Sequence, residues 1–97
     1  MTWTVEWDKK VEKQLKNIPD YIEDAFHEWV LSVETIGMEA TRKLTGYNDE
    51  QLKPPYKKGE RSVRLNKAYR AIYREKKNGK IQIASVFEVN KHDYKRR

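Results

Sequence analysis

The chain has 97 residues, of which 37% are charged and 37% hydrophobic, and its formal net charge is +6 at pH 7. This length fits one domain over residues 1–97 with a single modest core. The chain has no cysteine, which excludes disulfides and thiolate metal sites. No apolar run approaches the roughly 20 residues that span a membrane, and the N-terminus lacks a signal-peptide pattern, so we expect a cytoplasmic protein without membrane contact.

The charge is divided unevenly along the chain. Residues 1–52 hold 6 Lys or Arg and 11 Asp or Glu, which gives a net charge of −5. Residues 53–97 hold 15 Lys or Arg and 4 Asp or Glu, which gives a net charge of +11. Clustered cations bind phosphates favourably because counterions are released. The second half therefore indicates a polyanionic partner, although a basic surface that only keeps the protein in solution has the same composition.

The first predicted elements are a strand and a short helix. Residues 2–7 alternate Trp, Val and Trp with polar side chains, which indicates a half-buried strand. Asp8 is a suitable cap for a helix that we predict from Lys9 to about Asn17. Apolar residues of this segment recur at helical spacing at Val11, Leu15 and Ile18.

A longer helix is predicted next. Pro19 suits the first position of a helix, and apolar side chains follow at steps of three and four from Tyr21 to Ile36. Gly37 either kinks or ends this helix. Residues 38–44 are therefore its continuation or a separate turn.

A long connection leads from these helices to the second half of the chain. It contains Gly46, Pro54, Pro55 and Gly59, which favour turns and extended backbone. Connections of this size, roughly 16 residues, are often functional.

The stretch from Arg61 to Tyr94 alternates residue types with a period of two, which predicts strands. Asn78-Gly79 interrupts it and favours a two-residue hairpin turn, because both central positions of such a turn need positive φ. Both strand faces carry apolar residues, so we expect helices on one face and a partly open second face. The predicted register pairs Arg70 with Phe87, Ile72 with Ser85 and Tyr73 with Ala84.

The order of these elements predicts the fold class. Helices dominate the first half of the chain and a strand hairpin closes the second half. We predict an α+β fold in which two N-terminal helices pack on a small, mainly antiparallel, twisted sheet.

Few types of catalytic site fit this composition. His27 and His92 lie 65 positions apart and there is no cysteine, so we expect no metal ion. No serine stands in a nucleophile-elbow pattern, and the scattered glycines form no phosphate-binding loop. We expect no cofactor, and metal-free acid–base chemistry on a phosphodiester is the type of reaction that remains.

RNA carries its own nucleophile, the 2′-hydroxyl group. Its cleavage needs a base for the 2′ proton, cations for the pentacovalent phosphorane and an acid for the departing 5′ oxygen. Arg64 and Arg70 suit the phosphate oxygens, and His92 titrates near neutral pH and suits the acid. Tyr94 suits stacking on a base or a hydrogen bond near the scissile group.

These residues also have structural interpretations. The two arginines are alternatively ion-paired with the acidic helices, and His92 is alternatively a surface residue of a basic tail. Strict alternation also places His92 on the face opposite Arg70. A shared site therefore requires the strand to bend or end near Asn90.

Three pieces of the chain carry a family resemblance: the two-helix N-terminal half and two more specific segments after it. The sequence G-E-R-S-V-R-L-N-K-A-Y-R-A-I-Y at 59–73 and the closing E-V-N-K-H-D-Y at 88–94 resemble the RelE/ParE superfamily of bacterial type II toxins. Within it they are most similar to the mRNA-interferase branch of RelE, YoeB and HigB-like toxins, over nearly the whole chain. The resemblance implies a RelE-like fold and a ribosome-dependent endoribonuclease that cleaves mRNA in the ribosomal A site and inhibits translation. It also implies three partners: mRNA, the ribosome with its rRNA, and a cognate antitoxin that wraps around the toxin.

The resemblance assigns roles to individual residues. Arg70 matches the phosphate-stabilising arginine, Arg64 a basic position shortly before it, and His92 the general acid. Tyr94 matches the tyrosine that engages the base or the cleavage site. Further RNA contacts are expected from the other cations of this half: Lys53, Lys57, Lys58, Arg61, Lys67, Arg74 and Lys91.

The general base has two precedents in the superfamily. Some members use two lysines on the second strand, and Ser62 and Arg64 occupy those places here. Other members use a glutamate in the preceding loop, and Glu50 matches that residue. Glu50 is thus the expected base, or alternatively a solvated loop residue.

Two other functions fit the same fold or composition. One is a ParE-like gyrase poison, which is expected to lack the His/Tyr acid–base end that this chain has. The other is a non-catalytic RNA- or ribosome-binding module, which binds RNA in a salt-dependent way and leaves it intact.

Overall fold

The computed structural model describes residues 2–91, which form one five-stranded sheet with helices on one face. The strand order is β1-β5-β4-β3-β2; β1 pairs parallel with β5, and the other pairs are antiparallel. The predicted α+β class with two N-terminal helices is confirmed, and the segment after Gly37 forms a separate short helix. The elements are β1 Thr2–Trp7, α1 Lys9–Lys16, α2 Asp20–Ile36, α3 Met38–Arg42, a 3-10 turn Thr45–Tyr47, β2 Glu50–Gln51, β3 Glu60–Arg64, β4 Tyr69–Asn78 and β5 Ile81–Lys91.

The helices begin and end where the sequence provides the appropriate residues. The Asp8 carboxylate accepts the backbone N–H of Val11 and caps α1. Pro19 precedes α2, and Asp20 and Glu23 lie in its first turn, where the helix dipole favours anions. Gly37 ends α2 with φ +89°, a conformation that residues with a side chain rarely adopt.

The core lies between the helices and one face of the sheet. Trp29 of α2 packs on Tyr73 of β4 with ring centroids 5.3 Å apart, and Phe26 packs on Trp7 at 5.1 Å. Both Trp29 and Tyr73 are fully buried. The helices therefore cover the sheet face that bears Tyr73. Alternation along β4 places Arg70, Ile72 and Arg74 on the other face.

The hairpin turn differs from the prediction. Asn78 pairs with Ile81, so the two turn residues are Gly79 and Lys80 rather than Asn78 and Gly79. Gly79 alone supplies the positive φ, at +64°, and Asn78 remains in the strand. The predicted register is therefore wrong, and the observed partners are Asn90 for Arg70, Glu88 for Ile72 and Val86 for Tyr73.

A β-bulge in β5 changes the face on which its last residues lie. Tyr73 faces Val86 while its neighbour Ile72 faces Glu88, so Phe87 is an extra residue. The bulge shifts the alternation by one residue, and Asn90 lies on the face of Arg70, to which it is hydrogen-bonded. The premise of strict alternation that separated His92 from Arg70 is therefore wrong; His92 itself lies outside the described residues.

β5 extends past the end of β1 and contacts α1 there. The last pair between the two strands is Trp7 with Val86. Beyond it, the side-chain oxygen of Gln14 on α1 accepts the backbone N–H of Val89 at 2.8 Å. One side chain thus satisfies a backbone donor at the end of β5, next to Asn90.

We expect Gln14→Ala to destabilise the protein by about 1–3 kcal/mol, because a partly buried N–H loses its acceptor. Urea denaturation measures the free energy of unfolding, and amide hydrogen exchange of Val89 should become faster. Lys13→Ala, at an exposed position of the same helix, is the control. Equal stability of the two variants would contradict this role of Gln14.

Candidate active site

A pocket of about 90 Å³ lies where β2, β3 and β4 run side by side. It brings together three predicted catalytic residues, Glu50, Arg64 and Arg70, with the predicted RNA-binding residue Lys67. Asn48, Ser62, Asn66 and Tyr69 complete its lining.

The strand register explains why these side chains meet. Glu50 pairs with Ser62, and Arg64 pairs with Arg70. Ser62 and Arg64 are two residues apart and share a face of β3. Direct cross-strand partners have Cβ atoms roughly 4.5–5.5 Å apart and diagonal neighbours roughly 7–8 Å, so two guanidiniums and one carboxylate can reach a single phosphodiester group.

Arg70 is oriented by neutral partners. Its Nε donates to Asn90 Oδ1 at 3.4 Å, and its Nη2 donates to the hydroxyl of Tyr56 at 3.2 Å. Its Cζ also lies 5.9 Å from the centre of the Tyr56 ring. The Asn90 amide in turn donates to the carboxylate of Glu88. These contacts fix the guanidinium without neutralising its charge.

Arg64 is exposed, and its guanidinium forms no ion pair within residues 2–91. Arg70 likewise has no carboxylate partner in that range. The alternative that both arginines pair with the acidic helices therefore fails for the described part of the chain. Like charges on directly opposite residues destabilise a sheet, and an anion between them removes that repulsion.

Glu50 lies in a two-residue strand rather than in the predicted loop. Its side chain is exposed and lines the pocket. The preceding residue, Asp49, faces the opposite way, and its side chain is only 1% exposed. Glu50, the expected base, therefore directly follows a residue whose side chain is buried, Asp49.

A cluster of charged and polar groups surrounds Asp49. One carboxylate oxygen accepts Arg61 Nε at 2.6 Å, and the other accepts the Tyr73 hydroxyl at 2.6 Å. Arg42 Nε lies 3.4 Å away, and Arg42 also pairs with Glu75. Burial raises the pKa of Tyr73 well above its ordinary value, and the bond to Asp49 also raises it, so the hydroxyl remains a donor at neutral pH.

The other predicted RNA-binding residues are dispersed. Lys53, Lys57 and Lys58 are exposed in the connection between β2 and β3, and Lys91 is exposed at the end of β5. Arg61 faces the helices with Asp49 and so points away from Arg64. These roles stay predictions, as does the predicted RNA contact of Arg74.

Arg74 has two structural contacts. Its Nη2 donates to the buried carboxylate of Glu60 at 2.7 Å, and its Cζ lies 4.4 Å from the centre of the Phe87 ring. The ion pair with Arg74, followed by the backbone N–H of Lys57, lowers the pKa of Glu60. The predicted acid, His92, and Tyr94 lie outside the described residues.

Comparison with known proteins identifies the family. A family model described as the ParE toxin of the type II toxin-antitoxin system parDE matches residues 5–92. The chain belongs to this family. It is therefore a toxin of the RelE/ParE superfamily, as its sequence predicted.

Solved structures of similar fold extend over nearly the whole toxin. A YoeB/ParE toxin from Agrobacterium tumefaciens has 16% identity and a TM-score of 0.69, covering 93% of this chain and 99% of that one. The RelE–RelB complex from Pyrococcus horikoshii OT3 has 22% identity and a TM-score of 0.67, covering 94% of this chain and 96% of that one. The RelBE2 complex from Mycobacterium tuberculosis has 18% identity and a TM-score of 0.64, covering 95% of this chain and 100% of that one. The TM-scores establish a shared fold, and at these low identities the likeness shows the fold alone. No curated protein matches the sequence of the toxin.

The sequence analysis missed a second basic surface of the toxin. A groove of about 930 Å³ lies between α1 and the end of β5, and Val89 and Asn90 contribute to it. The division of charge concealed this surface, because the first half is acidic as a whole. Four of its six cations nevertheless lie in α1, namely Lys9, Lys10, Lys13 and Lys16.

Residues 2–91 contain neither a cluster of metal-binding side chains nor a membrane-spanning helix. Among residues 2–91, no group of three or more His, Cys, Asp or Glu side chains is placed to hold a metal ion. In the same range, no helix has the length and apolar composition needed to cross a bilayer.

We expect Arg64→Gln to raise the free energy of unfolding of the toxin by about 0.2–1 kcal/mol at low salt, because the like-charged partner of Arg70 is removed. The gain should shrink as salt screens the repulsion. Urea denaturation at two salt concentrations measures both effects, with Lys77→Gln in the exposed hairpin as the control. A destabilised Arg64→Gln variant would show that Arg64 makes a favourable contact.

We expect the Glu60–Arg74 pair to make stability depend on pH. Because the pKa of Glu60 is lowered in the folded state, its contribution is complete above the ordinary value of 4.5 and is lost as the pH falls through the lower folded value. The stability difference between wild type and Glu60→Gln should therefore shrink from pH 7 to pH 3. Denaturation at both pH values, with Glu39→Gln on α3 as control, tests this; a constant difference would contradict it.

Proposed function

We propose that the toxin is a ribosome-dependent endoribonuclease that cleaves mRNA and thereby inhibits translation. The observation that carries this proposal is the shared pocket of Glu50, Arg64 and Arg70. It combines a carboxylate with two guanidiniums that have no carboxylate partner among residues 2–91, and these are the groups that metal-free attack by the 2′-hydroxyl requires.

The reaction assigns one role to each group. Glu50 accepts the 2′-hydroxyl proton while the 2′ oxygen attacks the adjacent phosphorus. Arg64 and Arg70 stabilise the charge of the pentacovalent phosphorane. The bond to the 5′ oxygen then breaks, His92 donates a proton to that oxygen, and a 2′,3′-cyclic phosphate and a 5′-hydroxyl result. Tyr94 stacks on a base or binds near the scissile group.

Glu50 is the better of the two precedents for the base. Its carboxylate forms no ion pair with the described residues 2–91, so it is available to accept a proton. The lysine pair of other members is replaced by Ser62 and Arg64, of which Ser62 is buried. An arginine is a poor base because it keeps its proton.

RNA binding outside the pocket is assigned to the exposed lysines around it. Lys67 lines the pocket, and Lys53, Lys57 and Lys58 lie in the connection between β2 and β3. Lysine contacts to phosphates supply affinity without base specificity. In this proposal the ribosome and its rRNA position the mRNA, and the lysines hold its backbone.

The third partner is a cognate antitoxin. The family is defined by toxin–antitoxin systems, and the similar RelBE2 structure is a toxin–antitoxin complex. Arg64 and Arg70 attract an acidic, partly apolar antitoxin segment, because their charges lack carboxylate partners within the toxin's described range.

A second candidate is a gyrase poison, which the match to a model named after ParE favours. Such a toxin needs no proton acceptor beside its arginines. A supercoiling assay that traps gyrase–DNA complexes would support this candidate.

The deciding experiment is translation of a reporter mRNA with purified ribosomes and the toxin. We expect A-site cleavage, with the rate reduced about 10²–10³-fold in Arg70→Ala and about 10²–10⁴-fold in Glu50→Gln and His92→Ala. Lys80→Ala, at the hairpin turn, is the control and should cleave at the wild-type rate.

Three results would contradict the proposal. Intact mRNA with wild-type toxin rejects the ribonuclease, and so do variants of Arg70 and His92 that equal wild type. Intact RNA that binds the toxin in a salt-dependent way, weakened by substitution of Lys57 and Lys58, identifies a non-catalytic RNA-binding module.

A further inference from the structure

Asp49 and Glu50 are consecutive residues whose side chains lie on opposite faces of the sheet. Glu50 is exposed in the pocket, whereas the Asp49 side chain is 1% exposed on the helix side. Since the two residues are bonded neighbours in the chain, a fixed position of the Asp49 side chain restricts the position of Glu50.

The anchor of Asp49 comes from three elements. Arg61 on β3 and Tyr73 on β4 donate hydrogen bonds to the Asp49 carboxylate, and Arg42 on α3 lies within ion-pair distance of it. A buried carboxylate is stable only with such partners. The location of Asp49 is therefore set by the rest of the fold and not by the short strand β2 that follows it.

β2 has few other contacts that fix it. It contains two residues, and its pairing with β3 consists of Glu50 with Ser62 and Gln51 with Arg61. After it, the N–H of Leu52 donates to the Glu60 carbonyl at 2.9 Å. Strands this short depend on their surroundings for stability.

We propose that Asp49 is a positioning residue, which holds the Glu50 carboxylate beside Arg64 through its buried contacts with Arg61 and Tyr73. This inference rests on the proposed ribonuclease function. It also gives Arg61 a role through Asp49, in place of the RNA contact that the sequence predicted.

The test is a double-mutant cycle in the ribosome cleavage assay. Asp49→Asn keeps the size of the side chain and removes its charge, and we expect kcat to fall on the order of tenfold to a hundredfold, because small displacements of a reacting group slow catalysis strongly. KM should change little, since the exposed lysines and Arg70 are untouched. The double variant Asp49→Asn/Glu50→Gln should cleave no more slowly than Glu50→Gln alone.

Glu60→Gln is the matched control for a general loss of stability. It breaks the ion pair of another buried carboxylate, that of Glu60 on β3 with the half-exposed Arg74, at the opposite end of the strand from Arg64. Any effect of Glu60→Gln on cleavage should multiply with that of Glu50→Gln. Thermal denaturation of each variant confirms that all are folded at the assay temperature.

A second measurement tests the anchor without any activity. Amide hydrogen exchange of Leu52 should become faster in Asp49→Asn, while exchange in the paired region of β4 and β5 keeps its wild-type rate. Unchanged exchange at Leu52 would overturn the proposal, whatever the toxin does to mRNA.

The cleavage results separate the remaining possibilities. If Asp49→Asn slows the Glu50→Gln variant by the same factor as wild type, Asp49 acts independently of Glu50 and the proposal is wrong. If Glu50→Gln cleaves like wild type, the positioning role is wrong and the ribonuclease function still stands. If wild-type toxin leaves mRNA intact, the proposed function fails, and Asp49 remains only a structural anchor of β2.

Discussion

Two guanidinium groups of like charge stand directly opposite each other, Arg64 on β3 and Arg70 on β4. Tyr56 and Asn90 hold Arg70, but both are neutral. Repulsion across a strand pair costs stability, so the remainder of the fold must offset it. The buried aromatic packing of Trp29 on the opposite face provides that offset. The site is thus kept ready for an anion at the expense of the toxin's own stability.

Alternation along the strands separates stabilising residues from reactive ones. Val63 and Ala71 are fully buried in the core, and their neighbours Arg64 and Arg70 line the pocket. The bulge at Phe87 extends this division to the end of β5, because it places Glu88 and Asn90 on the Arg70 face and Val89 in the core. A one-residue irregularity is therefore part of the site.

Local patterns predicted the helices, the strands and the chemical types at the site, because periodicity and caps depend on neighbours in sequence. Contacts between distant residues were not predictable. The hairpin register depends on the position that Gly79 takes in the turn and on the β-bulge at Phe87. Composition specifies neither of them. The pairing of Arg74 with Glu60 and of Arg61 with Asp49 depends on which strands adjoin. Consequently, the sequence predicted RNA contacts for Arg61 and Arg74 but not their ion pairs with Asp49 and Glu60.

The same fold supports more than one activity, so the residues of the site, and not the fold, decide between cleavage and binding of RNA. A surface that only binds nucleic acid needs cations, and a carboxylate among them weakens its attraction for phosphates. Glu50 nevertheless lies in the same pocket as Arg64 and Arg70. Its neighbour Asp49 is anchored by contacts to three other elements, which fixes the segment that carries Glu50. A carboxylate at that place weakens the attraction for phosphates and is of a type that accepts protons, so its presence supports the proposed ribonuclease over a binding surface.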